Sequence, residues 1–103
     1  MLLKLQDKEF DSIVEKGIVL VDFYADWCGP CNLLSPVIDE IANKDPQLTI
    51  LKINVDEHPD LAEKHGVLSI PTLLFFKDGV SLDSSIGVVS ENVILNKIEI
   101  LKN

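Results

Sequence analysis

Apolar residues recur along the chain with two alternating periods, and the switches between them mark the elements. Leu2–Leu5 reads as a short first strand. Phe10, Ile13 and Val14 then share one helical face, with Asp7 as a candidate N-cap and Gly17 just past the end. Ile18–Tyr24 (IVLVDFY) is apolar on both alternating faces except at Asp22, the pattern of a central parallel strand covered on both sides. Leu33, Leu34, Val37, Ile38, Ile41 and Ala42 return at helical spacing. Pro36 lies inside that run, so a kinked helix is expected. Leu48–Val55 predicts a second central strand, and Pro59–His65 a short helix stopped by Gly66. Thr72–Lys77 is strand-like, and Asp78-Gly79 is a hairpin signal leading into Val80–Ser85. Ser90 caps a last predicted helix carrying Val93, Ile94, Ile98 and Leu101. The order βαβαβα followed by ββα implies an α/β sheet with helices on both faces and a hairpin at one edge.

Composition narrows this picture. The 103 residues show no repeat or linker-like segment, so a single domain over 1–103 is expected. The net charge is −8 and all nine basic residues are lysine, which argues against nucleic acid as a partner. The start, MLLKLQDKEF, lacks an apolar region long enough for a signal peptide. No apolar run approaches the ~20 residues that cross a bilayer. A soluble, cytoplasmic protein is therefore expected.

Both cysteines and the only tryptophan fall in one stretch, Ala25–Cys31 (ADWCGPC). Three chemistries compete for such a pair: a structural zinc, a structural disulfide, or a dithiol that cycles. Zinc needs four ligands, but there is no third cysteine and the only histidines, His58 and His65, are seven positions apart. A structural disulfide here would close a very short loop and restrain the unfolded chain little. Redox chemistry remains. If a helix begins at the motif, Cys28 meets its unpaired N–H groups and positive dipole end, while Cys31 lies about one turn further in. Cys28 is then the expected nucleophile, the more acidic and accessible thiol, and Cys31 the resolving one. Gly29 is expected to permit a tight approach, and Pro30 suits a first helical turn.

This residue set resembles the thioredoxin family. The resemblance runs through VDFYADWCGPC (Val21–Cys31), the step from Cys31 to Pro36 with IDEIA following, LKINVDEHP (Leu51–Pro59), SIPTLLFFKDG (Ser69–Gly79) and the later Gly87. It implies a five-stranded mixed sheet flanked by four helices, and the general reduction of protein disulfides by a monomer. It also implies thioredoxin reductase as a partner, disulfide-containing client proteins, and no cofactor in this chain, since FAD and NADPH belong to the reductase. Asp22 has two readings: a surface carboxylate at a strand end, or a buried acid that takes the proton from Cys31. The resemblance favours the second. Lys52 either snorkels to solvent or, as in the family, lies near that acid. Pro71 is implied to be cis and to face the dithiol, with Ile70 pairing its backbone with the client and Gly87 on the same face. Trp27 reads either as ordinary core or, by its place beside the thiols, as an apolar rim on which clients rest.

Three positions depart from the family's pattern. Tyr24 stands where many relatives have a second tryptophan, Asn32 where a lysine or arginine is frequent, and Leu68 where a polar or basic residue is common. They bear on which reductase and clients dock, not on the sulfur chemistry. An oxidant or isomerase on the same fold is a rival reading, opposed by Gly-Pro between the cysteines where those relatives typically carry a histidine. A binding module using the fold as a scaffold is another, opposed by the presence of both thiols.

Overall fold

A computed structural model describes residues 1–6 and 9–103. The elements in chain order are β1 (Leu2–Lys4), α1 (Phe10–Val14), β2 (Ile18–Tyr24), α2 (Gly29–Lys44), β3 (Thr49–Asn54), α3 (Pro59–Lys64), β4 (Thr72–Lys77), β5 (Val80–Ile86) and α4 (Glu91–Leu101). The five strands form one sheet in the order β1-β3-β2-β4-β5. β3 pairs in parallel with β1 and β2, whereas β4 runs antiparallel to β2 and β5 antiparallel to β4. The central strand read as lying among parallel neighbours thus has one of each kind. Asp7, read as the cap of α1, lies outside the described residues.

The pleat explains the two apolar faces of β2. Val19, Val21 and Phe23 join Leu51, Ile53, Leu74 and Phe76 beneath Phe10 and Val14 of α1 and Ala62 of α3. Leu20 joins Ile50, Leu73 and Phe75 beneath Leu34, Ile38 and Ile41 of α2 and Ile94, Ile98 and Leu101 of α4. Successive side chains point to opposite faces, so each residue of the run is committed to one layer or the other. Fully burying one such Leu, Ile or Phe contributes about 1.5–3 kcal/mol relative to exposure. Asp22 follows the parity of Leu20 and faces the α2 layer. Two residues assigned to buried helical faces are exposed instead: Leu33 on α2 and Val93 on α4. Both sit at the margin of an apolar stripe already filled by Leu34 and Ile94.

The ends of the elements follow local chemistry. Ser90 caps α4, its Oγ accepting from Val93 N–H at 3.3 Å. Asp78 and Gly79 take φ values of 50° and 87°, the positive pair that a two-residue hairpin with the strands' twist requires. Helix α2 runs through Pro36, which sits on its exposed side. Pro36 has no N–H to donate to the preceding turn, and the exposed side lets water solvate the carbonyl left free.

His65, just past α3, is the one imidazole set among aromatic rings. Its centroid lies 4.9 Å from that of Phe10, 5.9 Å from Phe76 and 6.3 Å from Phe23. Its Nε2 is buried without a hydrogen-bond partner among the described residues. Burial and, secondarily, the Lys64 ammonium hold its pKa below the ordinary 6.5, against a smaller upward pull from Asp11. A depressed histidine pKa means that the unfolded chain binds the proton more readily, so this contribution to stability is present above pH 6.5 and is lost as pH falls. Replacing His65 with Leu keeps the apolar contact and removes the titration. The stability of His65→Leu relative to the parent should therefore improve as pH falls from 7.5 to 5, measured by denaturant unfolding. A difference independent of pH would show that His65 titrates alike in both states.

Candidate active site

The chain leaves β2 at Tyr24, turns through Ala25–Trp27 and enters α2 at the two cysteines. The turn is closed by Cys28 N–H donating to the Ala25 carbonyl at 3.2 Å. Cys28 is the N-cap of α2, with extended backbone (φ −85°, ψ 109°) and Pro30 in the first turn. Its Sγ occupies the place of a capping oxygen, accepting from Cys31 N–H at 3.2 Å. This helix-terminal placement matches the expectation from sequence. The first amides of a helix have no intrahelical acceptor, so negative charge on a sulfur there is stabilised.

Cys28 and Cys31 are joined as a disulfide, with Cα atoms 5.2 Å apart. Residues 3 apart at a helix start face one another, which brings the pair into the ~4.4–6.8 Å range a disulfide tolerates. Both residues are buried in this form, Cys28 at 4% exposure and Cys31 at 6%. In this oxidised form the two residues are alike in exposure, and the sulfurs differ by position at the helix end. Around them pack Ala25, Tyr24, Val55 and Ile70. Gly29 and Pro30 are exposed. A Cβ at Gly29 would meet nothing within 4 Å, so the fold itself does not require glycine there.

Opposite the disulfide lies the loop before β4. The Ile70–Pro71 bond is cis, as the resemblance implied, and Pro71 is buried. The Ile70 carbonyl oxygen stands 3.8 Å from Cys28 Sγ. Two bonds brace this loop: Thr72 Oγ1 donates to the Ser69 carbonyl at 2.6 Å, and Gly87 N–H donates to the Pro71 carbonyl at 2.8 Å. Gly87 has φ +85°, a conformation side chains disfavour, and thereby turns its amide toward Pro71.

Trp27 is not core. It is 70% exposed, and its indole Nε1 donates to Asp56 at 2.8 Å. With Val55, Val67, Leu68 and Ile70 it lines a cleft of about 220 Å³ beside the disulfide. Leu68 is 99% exposed. Asp56 was missed by sequence reasoning, which had only its place in LKINVDEHP to go on. The Asn54 side chain accepting from Asp56 N–H at 2.9 Å is a turn signal that points to it.

Asp22 lies behind the motif, on the face that α2 covers. It is 4% exposed, and its Oδ1 has no hydrogen-bond partner among the described residues. The surface reading of this carboxylate is overturned. Desolvation raises its pKa from 3.8 to about 6, with the Lys52 ammonium pulling the other way. Lys52 is the register partner of Asp22 on β3, half-buried, with its Nζ 4.7 Å from the centre of the Tyr24 ring. Asn32, exposed, reaches the Asp26 carbonyl at 3.5 Å. Among the described residues no group of His, Cys, Asp and Glu is arranged to hold a metal ion, and no helix is long and apolar enough to cross a membrane.

Residues 1–100 match the Thioredoxin family model. Thioredoxins of Staphylococcus epidermidis and Staphylococcus aureus are each 49% identical to this chain over 87 residues, 84% of this chain and 84% of the relative. A mutant thioredoxin from Halobacterium salinarum superposes with a TM-score of 0.88 at 38% identity, covering 99% of this chain and 91% of the other. A yeast structure described as addressing thiol resolution in mitochondrial 1-Cys peroxiredoxin via glutathione and thioredoxin systems gives 0.88 at 30% identity, covering 97% and 95%. With a cysteine pair at disulfide distance on the matching fold, the chain belongs to the thioredoxin family of thiol–disulfide oxidoreductases, and its site supports the reduction of protein disulfides.

Proposed function

We propose that residues 1–103 work as one cytoplasmic, monomeric thioredoxin domain in which Cys28 attacks and Cys31 resolves. The observation that carries the assignment is the Cys31 N–H donating to Cys28 Sγ at the start of α2. In the reduced protein that amide and its neighbours favour the Cys28 thiolate. The thiolate attacks one sulfur of a client disulfide, the client S–S bond breaks, and the departing client sulfur takes up a proton. A mixed disulfide joins Cys28 to the client. Asp22 accepts the Cys31 proton, Cys31 attacks Cys28 Sγ, and the second client sulfur leaves as a thiol. The client has gained two electrons and the chain holds the Cys28–Cys31 disulfide. Thioredoxin reductase restores the dithiol with electrons from NADPH through its own FAD, so this chain needs no cofactor. Lys52 tempers the charge on Asp22. Trp27, Gly29, Pro30, Ile70, Pro71 and Gly87 form the face on which the client lies, its backbone pairing with Ile70 in strand fashion.

The reading is tested by turnover of a disulfide-containing protein with dithiothreitol, and then with thioredoxin reductase and NADPH. Cys31→Ser should accumulate a mixed disulfide with the client through Cys28, visible by non-reducing electrophoresis and mass spectrometry, because attack proceeds and resolution does not. Normal turnover by this variant would show that Cys31 is not the resolving thiol, and a mixed disulfide accumulating in Cys28→Ser but not in Cys31→Ser would reverse the roles.

Asp22→Asn separates proton transfer from packing. A native pKa raised from 3.8 to about 6 means that the folded parent holds the proton more tightly than the unfolded chain. The contribution of this group to stability is therefore fully present below pH 3.8 and declines as pH climbs through about 6. The full difference is on the order of 3 kcal/mol, at 1.36 kcal/mol per pH unit. Asp22→Asn should be more stable than the parent near pH 8, with the gap closing toward pH 4, as read by denaturant unfolding. In single-turnover kinetics the same variant should slow resolution by about 10²-fold or more while leaving the attack by Cys28 near the parent's rate. Equal stability at both pH values together with unaltered resolution would remove Asp22 from the mechanism.

A further inference from the structure

Asp22, Lys52 and Tyr24 share one face of the sheet by parity and register. Asp22 and Tyr24 are two apart on β2, and Lys52 on β3 is the register partner of Asp22. A lysine stem carries four rotatable carbons, so register alone does not decide where its ammonium sits. Nor does an ion pair decide it, because none of the lysine–carboxylate pairs among the described residues involves Lys52. The ammonium instead lies over the Tyr24 ring, 4.7 Å from its centre, where the ring's negative face attracts a cation. We propose that Tyr24 is a positioning residue: its ring anchors the Lys52 ammonium beside the buried Asp22 carboxylate and so sets how strongly that charge acts on the proton acceptor of the resolving step. The inference rests on the role assigned to Asp22 above.

The electrostatics support this division of labour. Among the described residues Lys52 is the one group that lowers the Asp22 pKa, against desolvation. A cation averaged over many rotamers, some reaching bulk water, acts on a buried carboxylate less than one held in place, because field strength falls with distance and with dielectric. Tyr24 adds no charge of its own in the working range, since burial and the carboxylates of Asp26, Glu57 and Asp22 raise its hydroxyl pKa above the ordinary 10. The ionisable groups found beside Asp22 are thus Lys52, its register partner on β3, and Tyr24 two residues on along its own strand. Asp26 and Glu57 stand nearer the tyrosine. Leu73, the register partner on β4, is apolar.

The experiment follows the Asp22 carboxyl carbon by NMR against pH in the oxidised protein, where neither cysteine titrates. Tyr24→Leu removes the ring and should move the Asp22 midpoint upward by on the order of half a pH unit, the most a surface-level cation–π anchor can transmit. Tyr24→Phe keeps the ring and should restore the parent midpoint. In a Lys52→Met background, Tyr24→Leu should produce no further shift. A midpoint unmoved or lowered in Tyr24→Leu overturns the proposal. So does an equal shift with and without Lys52, which would mean that the tyrosine acts by packing or solvation alone. Should Tyr24→Leu fail to fold, the parent answers directly: Lys52 ε-methylene protons over the ring must show an upfield ring-current shift that Tyr24→Phe keeps, and its absence from the parent rejects the contact. These titrations are read without turnover, so they stand or fall separately from the kinetic test of Asp22 as proton acceptor.

Discussion

Everything in this molecule hangs on β2 being buried on both of its faces. Two hydrogen-bonded neighbours hold its edges, β3 in parallel and β4 antiparallel, and helices cover it above and below. A strand so enclosed cannot slip by one residue, because a slip would exchange every side chain between the two layers. That fixed register places the strand's end, and therefore the first turn of α2, to within the tolerance that sulfur chemistry needs. It also fixes which layer receives Asp22. The dithiol is loop and helix in sequence, but its position is a property of the sheet.

The same enclosure creates the site's chief tension. A carboxylate whose Oδ1 finds no hydrogen bond among the described residues, in a layer whose buried cluster is Leu, Ile and Phe, is costly to ionise. A lone apolar residue there would give a more stable protein. The compensation is partial and indirect: Lys52 lowers the carboxyl pKa although it is in none of the close ion pairs among the described residues, and burial still leaves that pKa at about 6. A tight pair would have driven the pKa back down and weakened the group as a base. Stability and proton transfer thus make opposite demands on the same side chain. His65, in the other layer, makes the contrast: its ring packs on aromatic side chains, and burial holds its pKa down rather than up.

Much of this was legible in the chain. The alternation in IVLVDFY announced a doubly covered strand, and the Asp78-Gly79 pair announced the hairpin, because local sterics decide both. The helix-terminal position of Cys28 followed from Gly-Pro and the apolar period after it. The burial of Asp22 was not decidable from its own strand, since a charge at a strand end reads equally well as solvated; only α2 folding over that face settles it. Leu33 and Val93 misled because an apolar residue at the edge of a helical stripe has the right spacing whether or not anything lies opposite. The burial of both cysteines in the oxidised form had no local signal for a related reason: Ile70 and Val55 arrive from elsewhere in the chain and pack against the motif. Asp56 left only a weak trace, because a hydrogen bond to an indole nearly thirty residues away has no local signature.

The position of the Ile70 loop has a consequence for the order in which the site comes into being. Cys28 and Cys31 share one helical turn, so their juxtaposition needs only local structure. The carbonyl of Ile70 reaches Cys28 only when β4 has paired with β2, a contact between segments about fifty residues apart. Local contacts form fast and long loops close late. A chain emerging from synthesis therefore exposes both thiols well before it owns the wall that shields and orients them. Sulfur reactivity precedes selectivity during folding, and the interval between the two is when the nascent chain is open to indiscriminate disulfide exchange.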